Sequence, residues 1–313
     1  MRRIPETSPP PTGRFAPSPT GPLHTGSLVT AVGSYLLARQ AGGCWLLRID
    51  DLDTPRLVAG MADDIMRTLE SFSLLWDGLI SWQSRHLDDY RQAFELLRQT
   101  GHLYPCGCSR KEIAASASAP HHDDDGIPYP GFCRSGLKAG AVIRSWRVRV
   151  PDDDVSFHDR RCGTVCQHLP GCCGDFVVRR GDAGFAYQLA VVVDDALSGV
   201  TQVVRGEDLL ASTPRQIYLQ RLLGYPEPAY CHLPLVTGPS GTKLSKRDHL
   251  VSYRRAAGGN GKNKLLLAIM RFLGQDPPGM LEGAPCSEIL SWGCAHFDAD
   301  RLPDTGGELV QME

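Results

Sequence analysis

Apolar positions change period along the chain, and those changes outline its elements. A short β-like run from Arg14 is stopped by Pro17 and Pro19 and turns through Gly21-Pro22. It then enters a stretch where Val29, Val32, Gly33, Leu36 and Leu37 are spaced like one helical face. A second strand fits Cys44 to Ile49, and helical periodicity returns at Ile65, Leu69, Phe72 and Trp76 and again at Leu87, Tyr90, Phe94 and Leu97. Strands alternating with such helices predict an α/β fold with a parallel sheet covered on both faces.

Between about 104 and 180 the pattern breaks into Ala/Ser/Pro residues, three consecutive acids, the strand-like VIRSWRVRV and a cysteine-rich segment. This reads as an insertion. Helix–strand order resumes at Gln188 to Val193, and Thr213-Pro214-Arg215-Gln216 has the layout of a capping box with proline at the first helical position. The apolar runs Leu265 to Leu273 and Ile289 to Cys294 predict a small helical appendage. The expected organisation is a Pro/Ser-rich disordered tail at 1–11, an α/β domain in two parts at 12–103 and 181–250, an insert at 104–180, and a helical region at 251–313.

The 313 residues can bury a substantial core, and 42% hydrophobic with 22% charged residues is the composition of a soluble enzyme. No run of eighteen apolar residues exists, and MRRIPETSPPPTG has no apolar segment behind its arginines, so a cytoplasmic location and no membrane partner are the defaults. A formal charge of −2 announces no nucleic-acid partner by itself. Local clusters at Arg144/Arg147/Arg149, Arg160/Arg161 and Arg179/Arg180 fit either a solvated strand face or an RNA footprint. A monomer is the default, since no spare amphipathic helix stands out. Eleven cysteines, an odd number, argue for reduced thiols and metal ligation over a disulfide framework.

Two segments carry the chemistry. RFAPSPTGPLHTGS, from Arg14 to Ser27, places His24 and Gly26 at the entrance of a helix, where unpartnered first-turn N–H groups attract anions and a glycine lets a nucleotide approach. KLSKR, from Lys243 to Arg247, follows the turn Pro239-Ser240-Gly241 and offers Lys243, Lys246 and Arg247 on flexible stems to departing phosphates. Alone, the histidine could be a plain cap and the lysines a solvated turn; together they suggest two halves of a nucleotide-activating site. In open α/β sheets ligands lie beyond strand C-termini where strand order reverses, so the Arg14–Ser27 loop and the loop at Asp50 are expected to face one pocket.

With RIDDLDTPR (Arg48 to Arg56) and YQLAVVVDDALSGVTQVVRGEDLLASTPRQ (Tyr187 to Gln216), these segments resemble class I glutamyl-tRNA synthetases, and the truncated form is similar to the glutamyl-queuosine tRNA(Asp) synthetase family. The resemblance covers most of residues 12–300. It implies a Rossmann-like catalytic domain with an inserted zinc-containing subdomain, a short C-terminal helical region and no anticodon-binding domain. It further implies ATP-dependent, tRNA-independent activation of L-glutamate and transfer to the cyclopentenediol of queuosine in tRNA(Asp), with Mg²⁺ accompanying ATP and no DNA partner. The alternatives are a compact glutamyl-tRNA synthetase acting at the tRNA 3′ end, and an inactive tRNA-binding homologue.

By the same resemblance, His24, Gly26, Lys243, Lys246 and Arg247 serve catalysis, and His24, Gly26, Ser27 and Lys246 hold ATP. Arg14, Phe15, Ala16, Pro17, Ser18, Asp50, Tyr187 and Arg205 form the glutamate pocket, with Asp50 on the ammonium group and Arg205 on the side-chain carboxylate. Arginine suits a carboxylate because its planar fork gives bidentate geometry. Arg205 has the plain alternative of pairing with Glu207 or Asp208 at the surface, Tyr187 of ordinary core, and Asp50 of a turn cap. The family usually has glutamate at position 50, so the carboxylate here is withdrawn by about 1.5 Å, and Asp51 or a water is a possible assistant. Cys106, Cys108, Tyr129 and Cys133 resemble the family's single zinc site, with His121 and His122 as substitutes for Tyr129. Cys162, Cys166, Cys172 and Cys173 form a second cluster with poor zinc-knuckle spacing, read as non-ligating thiols.

Overall fold

Strand burial along the chain follows the expected parallel pattern: β1 (Thr12–Phe15) and β2 (Cys44–Ile49) are buried over most of their length, as strands covered on both faces are. The computed structural model describes residues 9–115, 128–182, 184–238 and 261–309. The remaining strands are β3 (Ser81–Trp82), β4 (Leu103–Cys106), β5 (Ser145–Val148), β6 (Asp154–Asp159), β7 (Gly163–His168), β8 (Val177–Arg180), β9 (Gln202–Gly206) and β10 (Ala229–Leu233). The helices are α1 (Thr25–Gln40), α2 (Met61–Ser71), α3 (Leu87–Gln99), α4 (Arg110–Ala115), α5 (Leu169–Cys172), α6 (Tyr187–Leu197), α7 (Thr213–Leu223), α8 (Gly261–Phe272) and α9 (Cys286–His296). Most of the disordered tail expected at 1–11 lies outside the described residues, as do His121, His122 and the KLSKR segment.

One sheet has the order β3-β2-β1-β9-β10-β6-β7 and a second the order β4-β5-β8. In the larger sheet β3, β2, β1, β9, β10 and β6 run parallel, and β7 closes the edge antiparallel to β6. The chain steps outward from β1 through β2 to β3 on one side and through β9 to β10 on the other. Strand order therefore reverses at β1, and a crevice opens beyond the C-terminal ends of β1 and β9. The smaller sheet is antiparallel and comes from the 104–180 region, whose β6–β7 hairpin instead extends the large sheet.

Helix α1 buries Val29, Val32, Gly33, Leu36 and Leu37 against β1, β9 and α9. Gly33 is there because α1 crosses close to β10: a Cβ at this position would lie 2.5 Å from Leu233 Cδ1. Helices α3, α6 and α7 form a second core with residues of β4, β5 and β8.

Two local expectations need correction. Helix α2 ends at Ser71, because Ser73 takes a positive φ of 61° and Leu74 N–H returns to the Leu69 carbonyl; Trp76 packs from the following loop. Helix α7 has Ser212, not Thr213, as its N-cap, and Thr213 is fully buried inside the first turn with its hydroxyl turned to Arg205. The arginine clusters also divide. Arg147, Arg149 and Arg179 lie over the rings of Tyr129, Tyr104 and Phe94 at 3.8, 4.7 and 5.0 Å, so their charge is used in cation–π packing, while Arg144, Arg160 and Arg180 are exposed.

Candidate functional site

Adjacent strand ends deliver the charged groups. Arg48 stands at the end of β2 with Asp50 just beyond it, Arg14 is on β1, Arg205 on β9 and His232 on β10, which are neighbours in that order across the sheet. Helix α6 adds Tyr187 at its start and Asp194-Asp195 near its end. The loops after β1 and β2 are tied together by Asp50 N–H, which donates to the Pro17 carbonyl at 3.0 Å. They enclose a cavity of about 690 Å³. Arg14, Phe15, Ala16, Pro17, Ser18, His24, Gly26, Ser27, Asp50, Tyr187 and Arg205 all line it, so the structure gathers every expected pocket residue that it describes. Lys243, Lys246 and Arg247 lie outside the described residues; Pro234, Leu235 and Val236, which precede them in the chain, line the same cavity.

Most of the buried charge is internally matched. Arg14 makes two hydrogen bonds to Asp195, at 3.1 and 3.2 Å. Arg48 donates to Asp50 at 2.6 and 3.3 Å and to Asp195 Oδ1 at 2.6 Å. Asp194, fully buried, accepts from Gln83 Nε2 at 2.7 Å and Tyr90 Oη at 2.7 Å and sits 2.8 Å from His86 Nδ1. Burial, set against the pull of Arg48 and reinforced by Asp194 and Asp195, raises the Asp50 carboxyl to about 6. Asp195 is equally buried, but Arg14 and Arg48 together outweigh that cost and hold it below the ordinary carboxylate range.

Arg205 is different. It is 4% exposed and forms no ion pair among the described residues, pairing with neither Glu207 nor Asp208, its plain alternatives; Glu207 pairs with Arg161. Its Nε donates to His232 Nε2 at 3.1 Å and its Nη2 to Thr213 Oγ1 at 2.7 Å. Its Nη1 is buried and has no hydrogen-bond partner among the described residues. Burial accordingly lowers the guanidinium's hold on its proton. A desolvated cation with an unused donor on a cavity wall is costly unless an anion joins it.

His24 is the N-cap of α1: its Nδ1 accepts from Ser27 N–H at 3.1 Å. The capping role weighed for this residue is therefore present, and it places the neutral ring's proton on Nε2, which stands 3.2 Å from Ser27 Oγ. A Cβ at Gly26 would sit 3.2 Å from the imidazole, so the glycine lets the ring lie across the helix entrance. Asp51 is not the expected assistant of Asp50. It accepts from Ser84 N–H at 2.8 Å and Ser84 Oγ at 2.7 Å and does not line the cavity.

The sequence reading missed Arg48, Asp194, Asp195, His232 and Asp159 as site-building residues. Their signal was charge in apolar surroundings: Arg48 ends the strand CWLLRI, and Asp194-Asp195 interrupt the apolar helix YQLAVVVDDAL.

Away from the cavity, the ligand atoms of Cys106, Cys108 and Cys133 lie within 4.8 Å of one another. Tyr129 Oη stands 3.3 Å from Cys106 Sγ and 3.5 Å from Cys108 Sγ and accepts from Cys133 N–H at 3.0 Å. Burial opposes ionisation of the Cys106 thiol, yet hydrogen bonds from Tyr129 and Arg147 and the backbone bring it down to about 7. Three convergent sulfurs and a phenol suit a thiophilic ion such as zinc. Tyr129 is seated by Gly174, whose positive φ of 63° and missing Cβ allow backbone contact; a Cβ would lie 2.4 Å from the Tyr129 carbonyl oxygen. Among the described residues Cys162, Cys166, Cys172 and Cys173 form no such group.

Comparison with known proteins agrees with this geometry. The family model for the catalytic domain of class I tRNA synthetases (E and Q) matches residues 12–283. The glutamyl-Q tRNA(Asp) synthetase of Geobacter sulfurreducens is 58% identical over 304 residues, 96% of either chain. That of Dechloromonas aromatica is 54% identical over 93% of this chain and 95% of its own. A glutamate tRNA ligase from Elizabethkingia meningosepticum, crystallised in complex with its amino acid, superposes with a TM-score of 0.80 at 26% identity, covering 96% of this chain and 67% of that one. The family match, the relatives sharing half or more of its sequence and the parallel sheet with its crevice at β1 together show that this chain belongs to the class I glutamyl- and glutaminyl-tRNA synthetase family, alongside the glutamyl-Q tRNA(Asp) synthetases.

Proposed function

We propose that the cavity activates L-glutamate with ATP and that the chain then transfers glutamate to the cyclopentenediol of queuosine in tRNA(Asp), the activity carried in the names of its nearly equal-length relatives. The observation that carries the glutamate assignment is Arg205, whose buried, unpaired Nη1 calls for a carboxylate while the other cavity arginines already have theirs. Asp50 takes the substrate ammonium group, Ser18 and Arg14 border the bound amino acid, and Tyr187 covers it. Glutamine leaves Arg205 without an anion, so it is disfavoured.

In the first step the glutamate α-carboxylate attacks the α-phosphorus of ATP, and pyrophosphate leaves. The substrate brings its own nucleophile, so the protein's part is alignment and stabilisation of phosphate charge. His24 Nε2–H exchanges its Ser27 hydroxyl contact for a phosphate oxygen, and the Gly26 amide in the first turn of α1 faces the same anion. Lys246, assisted by Lys243 and Arg247, closes over the departing pyrophosphate, with Mg²⁺ accompanying ATP. In the second step a hydroxyl of the acceptor attacks the activated carbonyl and AMP leaves. An unpaired base splayed from the anticodon loop is the expected form of the acceptor. Cys106, Cys108, Cys133 and Tyr129 hold one Zn²⁺, which supplies a structural cross-link.

Labelled glutamate, ATP and tRNA(Asp) with or without queuosine test this reading. Label is expected only on the queuosine-containing tRNA, and pyrophosphate exchange with glutamate is expected without any tRNA. Charging of tRNA at its 3′ end would replace the acceptor assignment, and absence of glutamate-dependent exchange would overturn the activation step.

A further inference from the structure

Arginines in the cavity are oriented in two ways. Arg14 and Arg48 are fixed by carboxylates, which hold them and cancel their charge. Arg205 is fixed by neutral acceptors: His232 Nε2, Thr213 Oγ1 and the Leu209 carbonyl at 3.4 Å. His232 lies directly opposite Arg205 in the β9–β10 register, so the two side chains leave the sheet together.

His232 can accept from Arg205 only if its ring proton is on Nδ1. Asp159 enforces that tautomer: its Oδ2 is 2.7 Å from His232 Nδ1, and it is itself fixed by N–H groups of His232, Arg161 and Cys162 at 3.1, 3.0 and 2.9 Å. Arg161 clamps the other side of the strand through the His232 carbonyl. Both His232 and Asp159 are fully buried and neither lines the cavity, so they reach it through Arg205 and through the Thr213 hydroxyl, which lies 3.1 Å from His232 Nε2 and itself accepts from Arg205. Were the Nε2 acceptor a carboxylate, Arg205 would reach the cavity already neutralised, and a substrate carboxylate would gain little there.

We propose that His232, fixed by Asp159 in its Nδ1–H tautomer, is a positioning residue that aims the Arg205 guanidinium at the substrate side-chain carboxylate while leaving its charge intact for glutamate. This rests on the reading of Arg205 as the carboxylate-binding group.

Pyrophosphate exchange, which needs no acceptor, tests it with His232→Met, which removes the acceptor at similar volume, and His232→Gln, whose amide oxygen can replace Nε2. His232→Met is expected to raise the glutamate KM about 10-fold or more with the ATP KM within about 2-fold, the loss typical of a hydrogen bond to a charged group. His232→Gln is expected to recover most of that loss. A glutamate KM unchanged in His232→Met, or equal losses in both variants, overturns the proposal. If neither variant folds, ¹⁵N-histidine spectra of the unaltered protein decide: the ring of His232, recognised among the ten histidines by its contacts with Tyr230 and Phe157, must show the neutral Nδ1–H tautomer at pH 7, and an Nε2–H tautomer there overturns the proposal. Arg205→Ala separates the two layers. An unchanged glutamate KM there removes the carboxylate-binding reading and this inference with it, whereas a raised KM there beside an unaffected His232→Met removes the inference alone.

Discussion

Asp50 shows how one residue's surroundings set its working range. Its short carboxylate side chain is turned back onto Arg48, two residues earlier near the end of β2. Burial raises its pKa to about 6, so the anion proposed to receive the substrate ammonium is complete near pH 7.5 and is lost as pH falls through 6. The glutamate kcat/KM is therefore expected to drop roughly 10-fold between pH 7 and pH 5, since that ratio reports groups of the free enzyme. In Asp50→Asn the ratio starts low and this step disappears, with ATP affinity retained; an acid limb of equal size in both proteins would remove Asp50 as its source. The residues proposed to hold glutamate and ATP stood out in the sequence because phosphate and carboxylate chemistry restricts residue type and spacing, and those that are described line one cavity. Asp195, Asp194 and His232 were not, because their role depends on which strand ends meet, and a single sequence does not state that.

At the scale of elements, strong periodicity placed helices and strands correctly: β2 has the expected bounds, and the apolar faces read for α1 and α3 fall within Thr25–Gln40 and Leu87–Gln99. The failures came where tertiary contacts set an end, as at Thr213, whose hydroxyl serves Arg205 in place of a cap. Close approach of α1 to β10 is the packing feature on which the cavity floor depends, since Leu233 is followed directly by the lining residues Pro234 and Leu235. Gly33→Ala puts a methyl 2.5 Å from Leu233 Cδ1, and about 1–3 kcal/mol of stability is expected to be lost to overpacking. Denaturant unfolding checks the value. Adding Leu233→Ala to Gly33→Ala is expected to cost less than Leu233→Ala costs the unaltered protein, because the two side chains compete for one space; strict additivity would show that the helix simply moves away.

For the whole molecule, sequence pattern announced an insertion after residue 103 but not how it is attached. The β6–β7 hairpin joins the large sheet because β6 pairs with β10, and the β4-β5-β8 sheet shares its core with α3, α6 and α7. That shared core links the cysteine group to the cavity: Tyr129 N–H donates to the Cys173 carbonyl, Arg147 lies over the Tyr129 ring and donates to the Asp175 carbonyl at 2.7 Å, and Tyr104 Oη donates to the Asp175 carboxylate at 2.6 Å. Helix α6, on the other side of this core, carries Asp194 and Asp195. A zinc ion held by Cys106, Cys108, Cys133 and Tyr129, as proposed above, would stabilise the unit by binding its folded form alone. Metal content is expected to be about one per chain, to fall to near zero in Cys108→Ser and to be unchanged in Cys162→Ser. Through the shared core, Cys108→Ser should also lower the melting temperature, whereas its glutamate KM should change far less than in Asp50→Asn, because no cysteine of the group lines the cavity. Two ions per chain, or metal lost from Cys162→Ser as well, would overturn the assignment of one site to Cys106, Cys108, Cys133 and Tyr129 and bring the second cysteine cluster into ligation.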